Sequence, residues 1–281
     1  MIIREVKVRN IITKSNLPSA DYVINPYIGC SHSCIYCYAS FMKRFTGHKE
    51  KWGTFLDIKI NALDLIPEKS KKYYGKYLFI SSVTDPYLPH ERKFTLTRHI
   101  LEKLIPLHPN IGIQSKSDLI IRDIDILKQF PVCEVGLTIT TLNDAIRKEI
   151  EPNTVSVQKR IEALMKLKKA GLYTYVFIGP ILPMITDWKK IVLETKLFVD
   201  SYMFENLNMY KPVAKNIYRW IKKSRPEMLP KYQSIFDKKS MYWHHVENEI
   251  RDYCQDNGID GRIFFHHSRN KKNRQMVATP N

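Results

Sequence analysis

Residues 25–38 read Asn25-Pro26-Tyr27-Ile28-Gly29-Cys30-Ser31-His32-Ser33-Cys34-Ile35-Tyr36-Cys37-Tyr38, and the cysteine spacing in this run governs how the rest of the chain is read. Cys30, Cys34 and Cys37 are three of only five cysteines in 281 residues, packed into eight positions. An odd count crowded in this way does not make a disulfide framework in a chain of this length. It points to metal or cluster ligation in a reducing compartment. Three thiolates can hold three irons of a [4Fe–4S] cubane and leave the fourth without a protein ligand. Two other uses of the loop stay open. Zinc asks for a tetrahedron of four ligands, so His32 or His48 would have to supply the fourth. A redox disulfide between Cys34 and Cys37 would leave Cys30 idle.

Working outward, short β-rich runs alternate with helical patterns, the signature of βα units around a parallel sheet. Strands are expected at 22–28, 77–83, 111–114, 133–141, 173–178 and 198–207. Between them, Ile161, Leu164, Met165 and Leu167 recur at helical spacing over 157–170, with Gly171 as the stop signal. Asp187 is a candidate N-cap for a helix through residue 197, and 118–130 predicts a shorter helix. Six such units predict an α/β fold, a partial (β/α)6 TIM-like barrel. In such sheets ligands gather at the carboxyl ends of the strands, and there the polar clusters of this sequence fall. After Tyr210 the pattern changes. A helix over 240–257 burying Trp243, Val246, Ile250 and Tyr253 and a short strand over 262–267 make a C-terminal helical extension. The tail from Ser268 is polar and basic. One domain over 1–281 is expected, with its core at about 20–210 and the extension at 211–281.

Lys and Arg outnumber Asp and Glu by 45 to 28, a formal charge of +17. That excess favours an anionic partner, nucleic acid among them, although a lysine-rich solvated surface gives the same count. No run approaches the eighteen or so apolar residues of a membrane span, and Met1 to Asn10 lacks the apolar stretch of a signal peptide. A cytoplasmic location without a membrane partner is expected.

The run at 25–38 resembles the radical S-adenosylmethionine (radical SAM) superfamily, in particular its spore photoproduct lyase-like, or DNA repair photolyase-like, branch. The likeness continues through Ser81-Ser82-Val83-Thr84-Asp85-Pro86-Tyr87, Ser115-Lys116-Ser117, Ile121-Arg122-Asp123, Thr138-Ile139-Thr140-Thr141, Glu151-Pro152 and Pro180-Ile181-Leu182-Pro183. The resemblance implies a [4Fe–4S] cluster on Cys30, Cys34 and Cys37 whose open iron chelates S-adenosylmethionine (SAM). It also implies a reducing electron donor, such as a flavodoxin or ferredoxin, and release of a 5′-deoxyadenosyl radical. It places Tyr36 near the adenine. Ser81, Ser82, Thr84 and Asp85 fall at the methionine ammonium, and Lys116 at the carboxylate. Ser115 and Ser117 fall at the ribose, Thr138 and Thr140 in the cofactor or substrate pocket, and Val176 and Ile178 at the adenine. Several of these have structural readings as well: Ser117 can cap a helix, and Thr84 to Pro86 can form a turn. The Glu151-Pro152 motif carries no assigned role.

The sequence departs from the branch in three places. Pro183-Met184 stands where Pro-Gly is usual, Phe177 replaces a polar strand residue, and Ser82 stands where the lyase carries a hydrogen-donating cysteine. An O–H bond is a poorer hydrogen donor to a carbon radical than S–H, which argues against thymine-dimer reversal. Cys133 and Cys254 read as buried small hydrophobes. Three functions are compatible with these residues: a radical enzyme on nucleic acid, for DNA repair or base modification, with Trp220, Tyr242 and Trp243 as base-gripping candidates; a radical enzyme on a peptide or small metabolite; and a non-catalytic cluster or zinc protein that binds nucleic acid.

Overall fold

The structure is a computed structural model and describes residues 1–266. Eleven strands are described: β1 (Ile2–Val6), β2 (Ile12–Lys14), β3 (Tyr22–Ile24), β4 (Tyr27–Ile28), β5 (Phe55–Lys59), β6 (Tyr77–Ile80), β7 (Asn110–Ser115), β8 (Cys133–Thr138), β9 (Tyr173–Ile181), β10 (Ser201–Asn206) and β11 (Gly261–Ile263). Eight of them form one sheet in the order β11-β10-β9-β8-β7-β6-β3-β2, and β1-β5-β4 form a second, small sheet. From β3 to β11 every neighbouring pair in the large sheet is parallel, and β2 closes its edge antiparallel to β3. Among the described residues its two ends, β2 and β11, are not paired with each other, and the sheet of this α/β fold is mostly parallel.

The register sorts side chains cleanly between the two faces, because successive residues of a strand point to opposite sides. Ile24, Leu78, Ile80, Ile111, Ile113, Val135, Leu137, Val176, Ile178 and Phe204 are all fully buried in the apolar core. Helices Val157–Lys169, Trp188–Thr195 and Tyr242–Asp256 pack on β8, β9 and β11. The other face is polar and aromatic. Tyr77 donates to Glu134 at 2.9 Å, Arg262 pairs with Glu134 at 3.5 Å, and Tyr175 donates to Gln114, which in turn donates to Thr138. Gly136 is what lets Tyr175 cross here: a Cβ at that position would lie 2.1 Å from the tyrosine ring.

Several expected boundaries shift for identifiable reasons. The strand expected at 22–28 divides at Asn25-Pro26, where proline removes a ladder donor: β3 joins the large sheet and β4 the small one. The segment 118–130 forms a 3-10 turn, Asp118–Asp123, and one helical turn, Ile124–Leu127. The six expected parallel strands become seven, since β11 pairs with β10, and β1, β2 and β11 lie outside the 20–210 segment. The tail from Ser268, and His267 of the expected last strand, fall outside the described residues. Among the described residues, no helix is long and apolar enough to cross a membrane.

Candidate cluster and cofactor site

The cysteine loop leaves β4 and lies over the carboxyl ends of the large sheet's strands. Its shape begins at Gly29, with φ +91°, where a Cβ would sit 2.6 Å from the Phe55 carbonyl oxygen. Only glycine takes that conformation without strain. Loop backbone groups are then tied down from several elements. Ile35 N–H donates to Ile150 O at 2.9 Å, Thr84 Oγ1 to Gly29 O at 2.6 Å, Asn153 Nδ2 to Ser31 O at 2.8 Å and Asn216 Nδ2 to Ile35 O at 3.3 Å. Tyr210 donates its hydroxyl to Tyr38 O at 2.8 Å. Loop and strand ends are thus held by residues far apart in sequence.

Cys30, Cys34 and Cys37 are free and partly buried. Burial, together with the neighbouring thiols Cys37 and Cys34 and the Asp85 carboxylate, raises the Cys30 thiol; burial pushes Cys34 up to about 12 against the pull of Lys116. Three crowded thiols that resist ionising beside one another are a site that a cationic cluster would complete. Cys37 already has donors aimed at it, from the Trp52 indole and the backbone N–H groups of Ala39 and Ser40. His48 is engaged through both ring nitrogens, whereas His32 Nε2 is buried without a hydrogen bond and faces the Asp85 carboxylate. His32 Nδ1 meets Asn153 O at 3.2 Å and its Nε2 lies 3.2 Å from Asp85, while His48 lies between Glu50 (2.8 Å) and Asp57 (2.9 Å). Among the described residues, no three His, Cys, Asp or Glu side chains are gathered closely enough to hold one ion. A cubane, which spreads its thiolates over separate irons, fits this loop better.

Beside the thiols, the described protein leaves Ser31 Oγ, His32 Nε2 and Ser81 Oγ buried without a hydrogen-bond partner, and a lysine ammonium stands close by. The Ser81 hydroxyl is buried with no partner, on a residue strained at φ +70° at the end of β6. The Lys116 ammonium lies 5.8 Å from the centroid of the Tyr36 ring, with no carboxylate at ion-pair distance. Burial works to lower its pKa, but the nearby acidic groups Cys34, Glu151 and Asp85 outweigh that and keep it charged. Unpartnered buried polar groups beside three thiols are a feature that a zwitterionic amino-acid ligand would satisfy. The residues present therefore fit both cluster and SAM.

The other expected contacts divide into ligand-facing groups and ties. Asp85 is fully engaged within the protein, accepting from Ser115 Oγ (2.7 Å), Lys116 N–H (2.9 Å) and Tyr87 N–H (2.9 Å) and facing His32. Burial alone would raise its carboxyl; His32 and these hydrogen bonds hold it at about 2 instead. Ser115 also accepts from Ser117 N–H, and Ser117 caps the 3-10 turn by accepting from Leu119 N–H. Ser82 Oγ accepts from Asn25 Nδ2, and its carbonyl accepts from Tyr38. Thr138 lies on the polar face of the sheet and Thr140 beyond the end of β8. Both are buried. Ile178 is not brought to the loop: it alternates with Tyr175 and Phe177 and is packed in the helix-facing core, so Phe177, like Tyr175, is on the polar face. Met184, where the branch has glycine, is held at φ +60°. Trp220 and Trp243 are core side chains, not base grips.

Glu151, whose role the sequence left unassigned, proves central. It accepts from the Tyr36 hydroxyl, from Thr140 Oγ1 at 3.1 Å and from Arg160 Nη2, and both Glu151 and Arg160 are fully buried. Burial works to raise its carboxyl, but Arg160, Lys116 and Tyr36 together hold it at about 2. Arg160 also donates to Thr138 O at 2.9 Å. Arg160 gave no signal in the sequence, since it stands on a helix rich in exposed lysines.

Comparison with known proteins agrees with this geometry. An uncharacterised protein of Methanocaldococcus jannaschii is 40% identical over 249 residues, 88% of this chain and 92% of its own. A radical SAM Nα-GlyT isomerase of Pseudomonas phage M6 is 28% identical over 161 residues, 56% of this chain and 32% of its own. The structure of spore photoproduct lyase complexed with dinucleoside spore photoproduct superposes with a TM-score of 0.65 at 15% identity, over 94% of this chain and 82% of that one, which shows a shared fold. The sequence profile of the radical SAM superfamily matches residues 24–194. The chain belongs to the radical SAM superfamily.

Proposed function

We propose that the protein is a radical SAM enzyme that abstracts a hydrogen atom from a nucleic-acid base. The observation that carries the cofactor half of this reading is the pairing of three free thiols with an unpartnered serine hydroxyl and a lysine ammonium that has no ion-pair carboxylate among the described residues. When bound, the cluster and SAM supply the electron and the 5′-deoxyadenosyl radical. Cys30, Cys34 and Cys37 would hold the cluster. Lys116 and Ser81 would meet the charged end of SAM, and Tyr36, fixed by Glu151, would border its adenine.

The substrate half rests on three supports. Two of the similar proteins are a lyase bound to a dinucleoside and a phage isomerase of this superfamily. The chain carries +17. Beside the cysteine loop, Tyr38 (45% exposed) and Phe45 (67% exposed) present aromatic surface, with Arg44 4.6 Å from the Phe45 ring. Exposed aromatics next to cations are what an unpaired base stacks on. With Ser82 in place of a hydrogen-donating thiol, base modification is favoured over dimer reversal.

The test is anaerobic incubation of cluster-loaded protein with dithionite and SAM, followed by oligonucleotides deuterated in their bases. Formation of 5′-deoxyadenosine, then its acquisition of deuterium, is expected. Absence of 5′-deoxyadenosine rules out the enzyme; 5′-deoxyadenosine that never carries deuterium from any oligonucleotide rules out the substrate class.

A further inference from the structure

The helix Lys211–Ser224 presents two very different faces. Val213, Ile217, Trp220 and Ile221 are buried, whereas Lys211, Lys215, Arg219, Lys222 and Lys223 are exposed. Among the described residues none of these five cations takes part in an ion pair, while Glu149 beside the helix binds both Arg225 (2.7 Å) and the Trp220 indole (2.7 Å). Like charges at i, i+4 and i+7 repel one another and destabilise the helix they sit on. A stripe kept free of counter-charges is complementary to an acidic surface brought from outside.

The position of this helix says which acidic surface. Its hydrogen bonds run to the peptide that carries the thiols: Asn216 Nδ2 donates to Ile35 O, between Cys34 and Cys37, and Tyr210, which caps the helix, donates to Tyr38 O and approaches Cys37 O at 3.5 Å. The basic face is therefore the outer surface of an element bonded directly to the cluster-bearing loop. Electron transfer weakens steeply with distance, so a one-electron donor must dock close to its acceptor, and these hydrogen bonds put the helix beside the cysteine loop.

We propose that the exposed face of helix Lys211–Ser224 docks an acidic, low-potential electron-transfer protein, which passes one electron to the cluster and is itself oxidised by one electron. This rests on the reading of the cysteine loop as a reducible cluster site, but not on the nature of the substrate.

The test compares cluster-loaded wild-type protein with a Lys215→Glu, Arg219→Glu, Lys222→Glu variant and with a control, Lys159→Glu, Lys166→Glu, Lys169→Glu. The control carries the same charge change on exposed positions of another helix. Bleaching of the cluster's visible absorption is followed after mixing with flavodoxin hydroquinone or with a reduced two-cluster ferredoxin. The helix variant is expected to be reduced about tenfold or more slowly at low ionic strength, with the gap closing as salt is added. The control is expected to stay close to wild type, and dithionite to reduce all three equally. Equal rates in wild type and helix variant, or an equal loss in the control, would overturn the proposal. So would a wild-type cluster that dithionite reduces but neither donor does, or a helix variant that loses only oligonucleotide binding, which would mark a nucleic-acid face instead. A wild-type protein without iron, sulfide or dithionite-reducible absorption would instead strike at the cluster reading itself.

Discussion

Replacing Glu151 by glutamine probes the buried network that positions Tyr36. The side chain keeps its shape and loses its charge, so the fully buried Arg160 guanidinium is left without a counter-ion. Breaking a buried pair from one side costs about 3–5 kcal/mol. The pKa leads to a similar figure: a carboxyl held at about 2 against an ordinary 4.5 corresponds to about 3 kcal/mol of stability at neutral pH. For a chain of this size each kcal/mol moves the melting temperature by roughly 2–4 °C, so Glu151→Gln is expected to lower it by about 10 °C in anaerobic thermal melts. Removing both partners, as Glu151→Gln with Arg160→Met, is expected to recover most of this loss. It leaves a deficit of about 1 kcal/mol, because the Thr138 carbonyl loses the donor it has in Arg160. The sign with pH follows from the lowered carboxyl. Its stabilisation is complete above about pH 4.5 and drains away as pH falls towards 2, and the glutamine variant should lack that part of the acid slope. A melting point within 2 °C of wild type, or a double variant no more stable than the single one, would refute the assignment of Glu151 and Arg160 as a mutually dependent pair.

Three further outcomes are expected. Alanine at Cys30, Cys34 or Cys37 should abolish stable loading of iron and sulfide under anaerobic reconstitution, while serine at Cys133, which is buried at the start of β8, should leave iron content unchanged. Lys116→Met should weaken SAM binding about 10- to 100-fold, the range for one charge-assisted hydrogen bond, in equilibrium dialysis, with cluster content preserved. Gly29→Ala should cost more than 1 kcal/mol and impair cluster loading, because its φ of +91° and the carbonyl oxygen 2.6 Å from the new methyl both oppose it; normal loading and stability would show that the turn relaxes freely.

The chemistry of the loop was legible in the chain because it is local: three ligands within eight residues need no folding to be recognised as a set, and alternating β and helical patterns announce a parallel α/β sheet whose strand ends carry the polar clusters. Pairwise relations were not legible. That Asp85 is saturated by Ser115, Lys116, Tyr87 and His32 while the neighbouring Ser81 is left unpartnered depends on how three separate segments meet. Face assignment behaved the same way. The resemblance implies Ile178 at the adenine, yet register with β8 and β10 turns it to the helices and Phe177 to the polar side, and a one-residue change of phase reverses every side chain in a strand. Arg160 is one basic residue among many on a helix, and becomes singular only when folding buries it against Glu151. The ligand types were written in short-range sequence; which groups remain free to bind was decided by long-range packing, because hydrogen-bond satisfaction belongs to the folded neighbourhood and not to the residue.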